Sequence, residues 1–302
     1  MAQTFLYRAY GLIVRSELPI PGACLFSGKA EMCPHAPDIE IVVDSVCAAM
    51  PGTQYGPYRR NGNSLLYEMP GIARYLCQAG RRMVVEPACG ASATDVGDML
   101  IATALPALLW MRPGEIVLHA AGAAIGAAKS AIAICGPSGS GKSTVLRSLL
   151  SAGRVLGDDT LRLLVAAEGV KASGLPARYC WSEDPGFHRN GHDVVAEQTL
   201  RSAPLAALCV LDLPRSTGPA EFRRLTGVEA LTVLLAQRHR PKVPRLMGKE
   251  GEVLPLFGHL AKLPLYSWRR KEGAGDLTRE ELAFLGNRAL RPAHKQKELV
   301  EQ

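Results

Sequence analysis

Apolar runs of strand length, separated by clusters of Pro, Gly and Asn, dominate the first ninety or so residues. Phe5 to Val14, Asp38 to Asp44, Ser64 to Met69 and Arg81 to Glu86 read as strands, and nothing between them forms a catalytic constellation. Around Thr94 the pattern changes. Thr94 or Asp95 can cap a helix that runs to about Met111 and is ended by Arg112-Pro113-Gly114. Two apolar runs follow, Glu115 to Ala121 and Ser130 to Cys135, joined by a Gly- and Ala-rich turn that suggests a hairpin. A helix from Lys142 to about Ala152 stops at Gly153, and Arg154 to Gly157 makes a short strand ending in Asp158-Asp159. Further strands are predicted at Leu161 to Ala166 and Leu205 to Leu211, with helices near Gly227 to Gln237 and Thr278 to Leu290.

This pattern divides the chain into a β-rich N-terminal region (1–92), an α/β core (93–275), and a C-terminal helix with a tail (276–302) whose last dozen residues read as disordered. Two stretches are apolar enough to test as membrane spans. Met99 to Met111 is too short and contains Pro106, so it reads as a core helix; Ile116 to Cys135 carries His119 and Lys129 and reads as two buried strands. No membrane span is expected.

Composition narrows the classes. At 302 residues with 47% hydrophobic and 21% charged, the chain can bury a large core, and aromatics at 6% disfavour a binder of single-stranded nucleic acid by base stacking. The eight cysteines are scattered, with no C-x-x-C pair and no Cys/His cluster at zinc-finger spacing. With no basic n-region and apolar h-region at the start, the expectation is a cytoplasmic protein with reduced thiols. Net charge is +7, and its placement is uneven: residues 1–200 hold 17 charges of each sign, whereas 201–302 hold 18 basic and 11 acidic. Arg238, Arg240, Lys242, Arg245 and Lys249 form the densest run, with no acid among them. It is either solvated surface or a dock for phosphates, an acidic peptide or nucleic acid.

Gly136-Pro-Ser-Gly-Ser-Gly141-Lys142-Ser143-Thr144 fits G-x-x-x-x-G-K-[ST] and has the required context, an apolar strand before and a helix after. Glycines let successive backbone N–H groups turn inward around a phosphate, and the helix N-terminus adds its positive end. The nucleotide-binding residues are therefore Gly136, Ser138, Gly139, Ser140, Gly141, Lys142, Ser143 and Thr144. Lys142 is placed to reach the β- and γ-phosphates, and Ser143 to offer a hydroxyl to Mg²⁺. Phosphoryl transfer also needs a carboxylate for the metal and often a second as base. Asp158 is assigned to the metal and Asp159 to the base, an assignment that leaves their exchange open. Alone, such a pair is a common turn feature; its position one helix after the loop, which would return its strand directly beside the phosphate loop, is what singles it out.

That compact order resembles the HPr kinase/phosphorylase family and its kinase-like relatives. Gly136 to Thr144 and Val155 to Asp159 carry the resemblance, with an upstream match at Val117-Leu118-His119-Ala120 and a fainter one at Leu263 to Trp268, so that it spans roughly residues 94 to 270. It implies an α/β fold with an HPr-kinase-like P-loop core, ATP and Mg²⁺ as cofactors, and His119 facing the active site near the acceptor. A lone histidine is more often a satisfied core residue. The Gly-rich second signature of true HPr kinase/phosphorylases is not found; Gly174-Leu-Pro-Ala-Arg178 stands there instead, so the resemblance leaves open the phosphorylase reaction, the hexamer and HPr itself as substrate. The N-terminal part looks more like the divergent relatives, of which some modify precursor peptides, including those of lasso peptides, and others phosphorylate free serine.

The expectation is an ATP- and Mg²⁺-dependent kinase acting on a Ser or Thr hydroxyl of a peptide or small protein, with His119, Lys142, Asp158 and Asp159 catalytic. Arg238, Arg240 and Lys242 are the candidate dock for an acidic or carboxylate-ended acceptor. A homo-oligomer is compatible with the sequence. The alternatives are a P-loop ATPase or switch without an acceptor, a kinase of HPr or free serine, and a nucleic-acid-associated ATPase, for which no recognisable module is present.

Overall fold

The computed structural model describes residues 3–26, 36–47, 50–126, 130–150, 153–175, 178–181, 190–193 and 199–290; the tail expected after Leu290, and Lys129, lie outside them. Among the described residues nine strands precede the first helix: β1 (Phe5–Ala9), β2 (Leu12–Ser16), β3 (Cys24–Leu25), β4 (Ile39–Val43), β5 (Thr53–Tyr55), β6 (Tyr58–Asn61), β7 (Ser64–Met69), β8 (Ala73–Gln78) and β9 (Arg82–Pro87). They form one sheet in the order β3-β1-β2-β4-β9-β8-β7-β6-β5. The run expected as one strand from Phe5 to Val14 is a hairpin, because Tyr10 and Gly11 both take positive φ and reverse the chain. In β8, Ala73, Tyr75 and Cys77 are buried and the residues between them are half-buried, so that one face packs inward.

Next comes α1 (Ala93–Met99), one π-helical turn over Leu100–Ala104, and α2 (Leu105–Trp110). The cap is Ser92, not Thr94 or Asp95: its hydroxyl oxygen accepts the Asp95 N–H at 3.0 Å and donates to the Asp95 carboxylate at 2.7 Å. Together these 18 residues are long and apolar enough to cross a bilayer by length and composition, more than the Met99–Met111 stretch suggested. In the fold their apolar side is core: every residue from Thr103 to Met111 is buried.

The remaining elements are β10 (Glu115–Leu118), β11 (Ala120–Ile125), β12 (Ser130–Cys135), α3 (Lys142–Leu149), β13 (Gly153–Gly157), β14 (Leu161–Ala166), β15 (Gly169–Ser173), β16 (Arg178–Trp181), β17 (Asn190–Asp193), β18 (Ala203–Leu211), β19 (Glu221–Leu225), α4 (Gly227–Ala236), α5 (Lys242–Leu246), α6 (Glu250–Leu260), β20 (Leu265–Arg269) and α7 (Arg279–Leu290). The second sheet runs β10-β14-β15-β18-β12-β11-β13, with β20 on β18 and β19 on β20; β16 and β17 pair with each other. The whole is a mixed α/β fold.

Two sequence expectations are corrected. The run from Glu115 to Ala121 is not one strand but breaks at His119: β10 pairs with β14, while β11 pairs with β12 and β13. Every residue of β10 and β11 is buried, so no alternation marks the bend. The strand carrying the Asp pair also does not lie beside the strand that feeds the glycine loop. β11 stands between them, and the other neighbour of β12 is β18, in parallel.

One hydrophobic core runs from the N-terminal sheet through α2 into the second sheet, joining Tyr75, Leu108 and Trp110 to Leu118, Leu163 and Phe257. On the opposite face of the second sheet, Ile132 and Ile134 of β12 pack with Val145 and Leu149 of α3 and Leu285 of α7. Around β12 the second sheet is therefore covered on both sides, and the polar groups near the glycine loop lie at strand ends and in the loops beyond them.

Candidate active site

Gly136 leaves β12 at φ +141°, and a Cβ there would meet the Ser140 hydroxyl at 2.7 Å and the Leu211 carbonyl oxygen at 3.0 Å, so the turn accepts only glycine. Gly141, at φ +96°, opens α3. Lys142 is buried, and its ammonium donates to the carbonyl oxygens of Gly136 at 2.9 Å and Pro137 at 3.0 Å, curled over the loop it follows. Ser138 and Gly139 are exposed at the tip, Ser140 is buried, and Ser143 and Thr144 lie half-buried in the first turn of α3. From another loop, Arg215 donates to the Ser140 carbonyl oxygen at 2.9 Å. Cys135, the residue before the loop, is no nucleophile: burial, opposed by the charge of Lys142, pushes its thiol up to about 12.

Antiparallel pairing brings the end of β13 and the start of β11 to the same edge as the end of β12. There Asp158 is buried, and its carboxylate accepts the Asp159 N–H at 2.9 Å. Asp159 sits at φ +70°, a left-handed conformation that Asp tolerates better than most residues. Its main-chain oxygen accepts the Ala120 N–H at 3.2 Å and lies 3.0 Å from His119 Nδ1. One carboxylate oxygen is 3.4 Å from the same nitrogen, and the other is 3.9 Å from Nε2 of His239.

His239 was not foreseen. It lies between two arginines in the basic run, and only the pairing of Leu118 with Arg238 brings it beside the strand break at His119. The two imidazoles stack with centroids 5.8 Å apart. Main-chain bonds fix both: the His119 N–H donates to Gln237 O at 2.8 Å, the His239 N–H to Val117 O at 2.9 Å, and the Trp110 indole to His239 O at 2.7 Å.

A cleft of about 550 Å³ opens here. Gly136, Pro137 and Ser138 border it on one side, and His119, Asp159, His239, Arg238 and Arg240 on the other. The fold thus brings the glycine loop, His119, Asp159 and two of the candidate docking cations to one cavity. Lys242 stands apart, its ammonium 5.8 Å from the ring centre of Tyr55 in the N-terminal sheet. Nor is the basic run free of acids in space: Arg238 pairs with Glu250 at 3.1 Å and Lys249 with Glu252 at 3.8 Å, while Arg240 donates to Ala102 O at 2.8 Å. A second cavity, of about 450 Å³, lies between the two sheets around Arg112, Glu115 and Arg162. At its centre Glu115 is held by Arg162 at 2.6 Å and Arg112 at 2.9 Å, a buried ion pair network that reads as structural, with Arg81 and Lys171 also on the wall.

Asp212 and Arg215 also escaped the sequence reading. Asp212 directly follows β18, the parallel neighbour of β12, and accepts a hydrogen bond from the Ser267 hydroxyl. The strand Leu205 to Leu211 was legible, but its partner was not.

No protein-family model matches the chain, and no curated protein matches it. Among solved structures, the Hpr(Ser) kinase/phosphatase from Coxiella burnetii is similar at 11% identity, over 56% of this chain and 85% of that one, with a TM-score of 0.30.

Proposed function

We propose that this chain is an ATP- and Mg²⁺-dependent kinase that transfers the γ-phosphoryl group to a Ser or Thr hydroxyl, most naturally of a peptide or small protein. The observation that carries the reading is that Asp159 and the tip of the glycine loop border the same cleft. A phosphate gripped by the loop amides and an acceptor hydroxyl entering the cleft would then meet within reach of a carboxylate.

Lys142, already at the loop carbonyls, is the cation for the β- and γ-phosphates. The Ser143 hydroxyl and the Asp158 carboxylate are hard oxygen donors of the kind Mg²⁺ takes, and the ion, when bound, supplies charge neutralisation on the phosphates. Asp159 accepts the proton of the attacking hydroxyl. His119, donating from Nδ1 to the Asp159 main-chain oxygen, holds that residue in its left-handed turn. Arg238 and Arg240 border the cleft and offer positive charge to an acidic or carboxylate-ended chain.

The test incubates the protein with MgATP and, in parallel, precursor peptides, HPr and free serine, and follows the gain of one phosphate by mass. A labelled peptide or protein, with transfer lost in a folded Lys142→Ala variant, is the expected result. Labelling of free serine alone overturns the peptide acceptor. Hydrolysis of ATP with no acceptor labelled points instead to a nucleotide switch, in which the grip of Arg215 on the glycine loop would link nucleotide state to the rest of the fold.

A further inference from the structure

His119, Asp159 and His239 come from three separate segments: the break between β10 and β11, the turn after β13, and the turn after α4. Each offers one ligand atom, and the three atoms lie within 4.8 Å of one another; of the two Asp159 carboxylate oxygens, one is 3.4 Å from His119 Nδ1 and the other 3.9 Å from His239 Nε2. A tetrahedral zinc ion with bonds of about 2.0–2.1 Å holds its ligand atoms about 3.3 Å apart. The closest pair already meets that spacing, and the widest would need to close by up to about 1.5 Å, within reach of side-chain rotation.

The frame behind these side chains is rigid. His119 and His239 are tied through their own N–H groups to each other's strand and turn, the carbonyl of His239 is held by the Trp110 indole, and the imidazoles are stacked. All three side chains border the cleft, so the remaining coordination positions face water or a bound molecule. Two imidazoles and one carboxylate favour Zn²⁺, Co²⁺ or a similar borderline ion over Mg²⁺, which prefers oxygen donors and keeps its waters.

We propose that His119, Asp159 and His239 form a binding site for a transition-metal dication, separate from the Mg²⁺ donors Ser143 and Asp158. His119 then gives up its donation from Nδ1 to the Asp159 main-chain oxygen and turns that nitrogen's lone pair to the ion. Because the site takes the Asp159 carboxylate, an occupied site keeps it from accepting a proton. On the kinase reading above, Zn²⁺ therefore blocks transfer, and MgATP at the glycine loop does not relieve the block.

The experiment titrates the full chain with Co²⁺ in excess Mg²⁺ and without nucleotide, reading visible absorption, and competes the signal away with Zn²⁺. One Co²⁺ per chain is expected, with the intense bands of a four- or five-coordinate ion. His239→Ala, His119→Ala and Asp159→Asn should each weaken binding by more than the about 10- to 100-fold that outer-sphere partners of a metal cost. His119 and Asp159 are partly exposed, so those two variants serve if the buried His239 substitution fails to fold. Lys142→Ala should bind Co²⁺ as the parent does, which separates the fate of this site from that of the kinase reading. Absence of a protein-dependent Co²⁺ spectrum, displacement of Co²⁺ by millimolar Mg²⁺, or unchanged affinity in the folded variants would overturn the proposal.

Discussion

The two large sheets bury their side chains in different ways, and the difference explains where the chemistry sits. In the N-terminal sheet the cover is uneven: β8 alternates buried and half-buried positions, β5 is exposed throughout, and only the middles of β7 and β9 are buried on both faces, under the small cluster of Val46, Met50, Leu66 and Val84. In the second sheet β12 sends Ala131, Ala133 and Cys135 into the core shared with the N-terminal sheet, and Ile132 and Ile134 into the cluster under α3 and α7. Both faces are sealed. Polar groups can then act only beyond the strand ends, and that is where Gly136, Asp158, Asp159 and His119 are found.

If the division is real, replacing a strand-end group should abolish activity without touching the fold. Asp159→Asn should lower turnover by about 10²- to 10⁴-fold, the usual worth of a general base, while nucleotide binding persists. Asp158→Asn should instead raise the Mg²⁺ concentration needed for half-maximal rate. Mg²⁺ titration of both variants separates the roles, and identical behaviour would erase the assignment.

Trp110 should break the pattern by serving both halves. Its ring fills the common core and its indole N–H supports the carbonyl of His239. Trp110→Ala should cost about 3–5 kcal/mol in urea unfolding and also alter transfer kinetics, whereas a purely structural residue would show only the first.

Glu281 tests the sealed face of the second sheet. Burial pushes its carboxyl up, but hydrogen bonds from Arg270 and from the Thr278 N–H outweigh that, and it ends below its ordinary value. A depressed folded pKa means that the stabilisation is present at neutral pH and is lost as pH falls through that value. Glu281→Gln should therefore destabilise by about 3 kcal/mol at pH 7, and progressively less as pH falls below the ordinary glutamate range through the depressed folded value, with urea midpoints across an acid series as the readout.

The smallest effect belongs to the N-terminal sheet. Tyr75→Phe removes the hydrogen bond to Val96 O, at 2.8 Å, and should cost about 1 kcal/mol with no change in turnover. A loss of activity there would show that the two halves are coupled more tightly than their burial implies.

How far the sequence could be read follows the same division. The glycine loop and the Asp pair are local signals, set by neighbours in the chain, and were legible as they stand. β8 was passed over because Leu76 on its second face packs near Val46 and Leu66, which blurs the alternation of Ala73, Tyr75 and Cys77. The break at His119 was invisible because the residues on both sides of it are buried on either face. His239 reaches the site through pairing between segments more than a hundred residues apart, and no local period records that.

The π-helical turn at Leu100–Ala104 carries one more consequence. Its Leu105 N–H reaches back to Leu100 O, so the turn holds one residue more than a regular α-helix would, and Arg240 binds the Ala102 carbonyl beside it. Winding the same five residues as regular α-helix would swing everything on one side by about 100°. Trp110 would then face away from His239. In genetic terms, the segment tolerates exchange of letters at its half-exposed positions, Ile101 and Ala102, and is also where the loss of one codon leaves the facing of Trp110 unchanged, so a deletion scan should register it as a tolerated gap within the helix.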